Sequence, residues 1–294
     1  MFTIIGIVVV FGAIVGGYLL EHGKLLVLLQ PAELVIIGGA AAGTVLIANP
    51  MSTVIRMLKG LLKLLKPDEF DRHHYLETLK LLNELFSAAR KRGLVDLESD
   101  IEDPAKSPLF SKHGWFLKHE GAVSFICDTL RMAITGAAAA HDLDQMMELD
   151  IEIRHRGDTE PVAALSTVAD SLPGLGIVAA VLGVVITMGA LGGPPEEIGH
   201  KVAAALVGTF LGILMCYGLF GPLASRMTKC NEAESQYYNC VRMGLISFIK
   251  GVAPPLAVEF ARRAIPVEVR PAFQEVEKAC RAGSGDSAAA SKAA

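Results

Sequence analysis

No block of like-signed basic residues, no CxxC pair and no ordered enzyme motif occurs in this sequence. The first absence leaves nucleic acid without an electrostatic footprint: 27 Lys and Arg stand against 31 Asp and Glu, for a formal net charge of -4. The second excludes a disulfide framework or a zinc site, because Cys127, Cys216, Cys230, Cys240 and Cys280 are scattered in a way that suits a reducing compartment. The third, with no Ser/His/Asp grouping, phosphate-binding glycine loop or HExxH, argues against an enzyme and implies no cofactor and no metal. His73 and His74 stand in a charged helix start and are read as surface residues. Strand alternation and Asn-Gly hairpin signals are missing too, so the fold class expected is all-α.

What the chain has in excess is apolar sequence. Of 294 residues 52% are hydrophobic, and the mean hydropathy is +0.44, more than a soluble core of ordinary composition needs. The excess is concentrated in four runs, Phe2 to Leu20, Leu34 to Met51, Val168 to Leu191 and Val202 to Leu223. Each is close to the ~20 residues that a helix needs to cross ~30 Å of hydrocarbon. No basic region precedes the first run and no small-residue cleavage site ends it, so it reads as a retained span. The connections Glu21 to Glu33 and Gly192 to Lys201 are short, and a long charged segment separates the two hairpins. Arg56, Lys59, Lys63, Lys66, Arg154, Arg156, Arg226 and Lys229 flank that segment or follow the last span. The positive-inside rule then places the long segment and both chain ends on the cytoplasmic side of a multi-pass membrane protein.

The division expected is a first hairpin over 1–51, a helical cytoplasmic domain over 52–167, a second hairpin over 168–223, a cytoplasmic helical region over 224–281 and a disordered tail over 282–294. Leu79, Leu82, Phe86 and Ala89 predict a helix of about six turns, with Asp68 capping its start after Pro67 and Gly93 following the basic end Arg90-Lys91-Arg92. Ala122 to Ala140 and Leu143 to Ile153 read as two further helices, and Ala224 to Val252 as a long one.

Inside the spans, small residues recur four apart: Gly12 and Gly16, Gly39 and Gly43, Ala179 and Gly183, Gly208 and Gly212. Such spacing lets helices approach closely in lipid, within one chain or between chains. A pump or carrier normally shows an ionisable residue at mid-membrane. Here Asp170 sits at the start of the third span and Glu33 at the mouth of the second, leaving Thr187, Thr209, Cys216 and Tyr217 as the polar inventory. Another chain must then supply any ionisable group on an ion path. Pro173 falls in the first turns of the third span, whereas Pro222 predicts a kink where the fourth span leaves the membrane.

The stretches YLLEHGKLLVLLQPAELVIIGGAAAG, DSLPGLGIVAAVLGVV, VGTFLGILMCYGLFGPLA and APPLAVEFARR, in this order and covering nearly the whole chain, resemble the MotA family of flagellar stator subunits. The resemblance implies a homopentamer around the membrane helices of two MotB-type subunits, which supply the ion-binding aspartate. The third and fourth spans line the centre, and the cytoplasmic part pushes the rotor protein FliG. It also implies roles for particular residues: Arg90 and Glu98 in rotor contact, Pro173 and Pro222 in coupling, and Thr209 and Ala180 beside the ion path. Alanine at 180, where sodium-using relatives carry threonine, implies protons. Ser99 departs from the arginine familiar in enteric members. The competing expectations are an ExbB- or TolQ-type energiser of envelope proteins, disfavoured by the extra hairpin, and a solute transporter or membrane enzyme, disfavoured by the missing substrate chemistry.

Overall fold

A computed structural model describes residues 2–66, 69–136, 138–189 and 192–290, with side chains described through Arg281. Among them every regular element is helical. The chain opens with α1 (Phe2–Leu20), α2 (Leu25–Leu28), α3 (Pro31–Ala48) and α4 (Met51–Lys63). After these come α5 (Arg72–Arg92), a 3-10 turn at Val95–Leu97, α6 (Glu98–Glu102), α7 (Gly114–Leu117) and α8 (Glu120–Thr135). The long α9 (Ala140–Met188) and α10 (Pro195–Met215) follow, and a π-helical turn at Cys216–Phe220 joins α10 to α11 (Gly221–Ile249). The last two are α12 (Pro254–Ala264) and α13 (Phe273–Ala290). Four stretches, Phe2–Leu20, Leu25–Ala48, Ala140–Met188 and Pro195–Ile249, are long and apolar enough to cross a membrane.

Two of these bounds revise the sequence reading. Leu143 to Ile153 is no separate helix, because α9 runs unbroken from Ala140. The polar residues before Val168 keep a helical period, and hydropathy marks only the part fit for lipid. Pro173 therefore lies inside a helix and not in its first turns. Leu191, the expected end of that span, lies outside the described residues.

The chain divides into two compact units, each discontinuous in sequence: Met1–Pro67 with Gly157–Asn231, and Asp68–Arg156 with Glu232–Ala294. This differs from the linear division expected, because α4 belongs with the spans and residues 232–281 with the charged segment. Periodicity marks helices but not which helices pack together.

In the first unit, small residues set the approach of α9 to α10. A Cβ placed on Gly212 would lie 2.5 Å from the Leu172 carbonyl oxygen, and one on Gly183 would lie 2.7 Å from the Ala205 Cβ. The recurrence at 179, 183, 208 and 212 is thus used within the chain. Gly12, Gly16, Gly39 and Gly43 have open space where a Cβ would point.

The second unit has an ordinary aqueous-protein core around α5. Tyr75, Leu79, Leu82, Leu85, Phe86 and Ala89 are buried at helical spacing. Phe86 stacks on Phe248 with ring centroids 4.5 Å apart, and the buried Thr78 and Tyr237 hydroxyls lie 2.9 Å apart. The cap of α5 is Asp71, whose side chain accepts from the His74 N–H, while Asp68 lies outside the described residues. Asp, Asn, Ser and Thr are all favoured caps, so sequence alone does not choose between two nearby aspartates. His73 is exposed as expected, whereas His74 is half-buried and stacks on Trp115 at 4.3 Å, and the ligand atoms of Asp71, His73 and His74 lie within 4.8 Å of one another. At the C-terminus α13 extends to Ala290, beyond Ala282 where composition predicts disorder. Of these nine residues, Ala282 and Ala288 to Ala290 favour helix, whereas Gly283 and Gly285 oppose it. The last residues, 291–294, lie outside the described residues.

On α12, Glu259 accepts from both Arg262 and Arg263. The hydrogen bond from Arg262 leads in holding its carboxyl down to about 2. A carboxylate depressed in the folded state stabilises it fully above the unfolded value and stops doing so as pH falls through the folded one. Glu259→Gln is accordingly expected to cost about 1–2 kcal/mol at neutral pH, after discounting for the solvated side of the pair. Thermal unfolding in detergent should show that gap closing between pH 4.5 and 2.

Candidate functional site

Two regions bring chemistry-bearing residues together, one in each unit. In the second unit the basic end of α5 meets an acidic turn. Arg90, Lys91 and Arg92 are exposed at the helix C-terminus, where cations complement the macrodipole. Gly93 reverses the chain at φ 100, a left-handed value that side chains rarely adopt. Leu97 and Ile101 then pin the acidic turn to the core, each 1% exposed.

That anchoring sorts the run of acids. Asp100 is buried and accepts a 2.6 Å hydrogen bond from the Ser107 hydroxyl, so it is a scaffold residue. Asp103 is paired with Lys106 at 2.7 Å. Glu98 and Glu102 remain exposed, and neither they nor Arg90 make an ion pair among the described residues. The fold therefore holds Arg90 and Glu98 outward on a rigid base, one on each side of the Gly93 reversal.

In the first unit, α9 and α10 bring Ala180 and Gly208 together: a Cβ on Gly208 would lie 3.3 Å from the Ala180 nitrogen. Thr209, next along α10, is half-buried. The same imaginary Cβ would lie 2.6 Å from the Glu33 Oε2. Glu33, in the first turn of α3, is buried, and its Oε2 has no hydrogen-bond partner among the described residues. Glu33 thus stands at the start of α3, the mouth of the second span, and what the sequence reading did not anticipate is its burial against Gly208 of α10. The segment QPAEL advertises only a helix start, where an acid suits the dipole, and nothing local announces that Gly208 clears space for it.

Proline acts differently at its two positions. Pro173 lacks the N–H that would bond the Ala169 carbonyl inside α9, a residue itself buried. Pro222 follows the π-helical turn Cys216–Phe220, where the Gly221 N–H reaches back to the Cys216 carbonyl. A widened turn relieves the clash that the ring would make with the carbonyl four residues before it. Pro222→Ala removes a bias of about 3 kcal/mol against a regular helix, enough to move a bent-to-straight equilibrium about a hundredfold. If the chain is the stator subunit that the resemblance implies, membrane insertion should survive and the torque of tethered cells should fall; unchanged torque would remove any lever role for this turn.

Comparison with known proteins gives the family of the chain. Residues 4–93 match the family described as Motility protein A N-terminal, and residues 119–239 match the MotA/TolQ/ExbB proton channel family. Motility protein A of Escherichia coli is 39% identical over 96% of this chain and 96% of its own length. The chemotaxis protein LafT of Vibrio parahaemolyticus is 36% identical over 93% of this chain and 96% of its own. In fold, the chain is similar to the structure of Campylobacter jejuni MotAB, with TM-score 0.75 and 19% identity over 90% of this chain and 96% of that one. It is equally similar to the flagellar MotAB stator complex from Bacillus subtilis, with TM-score 0.75 and 24% identity over 92% and 98%. The chain belongs to the motility protein A family, the flagellar-motor stator subunits within a family of membrane proton channels and not of enzymes.

Proposed function

We propose that this chain, as a pentamer around a MotB-type partner, turns proton flow across the inner membrane into torque on the rotor protein FliG. The observation that carries the reading is the full-length match to motility protein A, which includes the first hairpin. An ExbB- or TolQ-type energiser is expected to lack that hairpin and has no need of an outward Arg90 and Glu98. In this reading both chain ends lie in the cytoplasm, and lipid surrounds the outer spans. Ala180 and Thr209 border the ion path against the partner's aspartate, and Pro173 and Pro222 convert its titration into movement of the second unit. One proton crossing ~150 mV releases roughly 3.5 kcal/mol, about six RT, which suffices to bias a step in one direction.

The test is rotation of tethered cells after deletion and restoration of the gene, with sodium withdrawn and the proton gradient then collapsed. Assembled but paralysed flagella, rescued by the gene without sodium and stopped by the collapse, are expected. Dependence on sodium alone would overturn the ion assignment from Ala180. Normal rotation without the gene and without a second stator would favour an envelope energiser.

A further inference from the structure

The helix α4 has three faces, and only one is explained by the chain itself. Successive helical positions are 100° apart, so residues three or four apart share a face. Thr53 and Met57 are buried, and Leu64 continues that face just past the helix end. Met57 and Leu64 join Ile37, Ala41 and Val45 of α3 and Leu165 and Val168 of α9 in one apolar cluster. About a third of a turn away, Met51, Ile55, Leu58 and Leu62 form an unbroken apolar stripe whose members are 62%, 45%, 53% and 65% exposed. On the remaining third stand Arg56, Lys59 and Lys63, all exposed, with Lys66 just beyond.

Only Asn49 and Pro50 separate this helix from the end of α3, so it begins where a membrane-spanning helix stops. Beside Leu58 and Leu61 opens a cleft of about 390 Å³ whose other walls include Leu34, Val45, Leu172 and Phe220. An apolar stripe flanked by a basic row fits a helix lying in the plane of the interface, with hydrocarbon on one side and headgroups on the other. Water is a poor solvent for that stripe, and a neutral headgroup is a poor match for that row.

We propose that α4 is an anionic-phospholipid site: the basic row holds the headgroups, the stripe lies in the acyl region, and the cleft receives an acyl chain. Arg56 reaches Glu160 and the Gly157 carbonyl at 2.6 and 2.9 Å, so it also ties the helix to α9. Lys59 and Lys66 add the charge that neutral lipid does not call for.

The test uses the chain purified with its membrane partner and reconstituted in phosphatidylcholine carrying a minor fraction of brominated lipid. A Leu58→Trp substitution reports on the stripe, with the emission of Trp115 in the unsubstituted protein as baseline. Brominated phosphatidylglycerol is expected to quench the emission of the introduced indole more strongly than the same fraction of brominated phosphatidylcholine. Combining Lys59→Gln, Lys63→Gln and Lys66→Gln should erase the preference, by on the order of five-fold in relative affinity per charge removed. Quenching by neither lipid would show the stripe covered by protein, such as a second copy, and would overturn the proposal. Equal quenching by both, or a preference that survives the triple substitution, would overturn it as well.

Discussion

Gly212→Ala is expected to cripple the protein more than any other single-methyl change among its described glycines. The added carbon would sit 2.5 Å from the Leu172 carbonyl oxygen and 2.9 Å from the Gly176 Cα. Both neighbours are backbone, so no rotamer change makes room, and α9 and α10 have to separate. Overpacking where side chains can yield costs typically 1–3 kcal/mol; here the cost falls at or above the top of that range. It also displaces the surroundings of Ala180, Thr209 and Glu33 together. Complex yield after detergent extraction, its thermal midpoint and swimming speed should all drop. The control is Gly12→Ala, which meets nothing within 4 Å in this chain. A tolerated Gly212→Ala would refute the close packing of α9 against α10, whereas a damaging Gly12→Ala would mark that face as covered by another chain.

Reversing the charges at the Gly93 turn is expected to give the opposite pattern, with stability intact and motility lost. Arg90 and Glu98 are exposed, and surface substitutions of this kind usually change stability by no more than about 0.5 kcal/mol. Close charge pairs across an interface can carry roughly 1.5–7 kcal/mol of coupling. Arg90→Glu and Glu98→Lys should each weaken binding to purified FliG and slow or stop swimming at normal stator abundance. The double reversal separates two explanations. If the two residues act by pairing with each other, exchanging their signs restores the pair and swimming returns. If each faces the rotor, the double variant stays defective and is rescued only by reversed charges on FliG. Normal swimming of the double variant would count against rotor contact.

The membrane architecture was legible because its physics is one-dimensional. Hydrocarbon thickness sets the length of an apolar run, and α1 matches the predicted Phe2 to Leu20. The pinning of Leu97 and Ile101 was not legible, since a five-residue α6 is too short to show a period. Within the acidic run, composition does not distinguish Asp100, which Ser107 satisfies in the interior, from Glu98, which is exposed. Glu33 escaped for a related reason. Its burial depends on a glycine 175 positions away, and a missing side chain leaves no mark on local hydropathy.

The π-helical turn before Pro222 also changes how everything after it must be counted. A turn closed by a bond five residues back holds about one residue more than an α-turn, so α10 and α11 follow two helical frames offset by about 100°. Cys216 and Gly212 are buried in the first frame, Ala224 and Met227 in the second. Regularising this turn to α with every residue kept would merge the frames. Met227, whose methyl fills the space above Gly60, would then be carried off that contact. The extra residue and the wide turn are thereby matched to each other: a chain one residue shorter between Cys216 and Phe220 would need an α-turn to keep Met227 over Gly60.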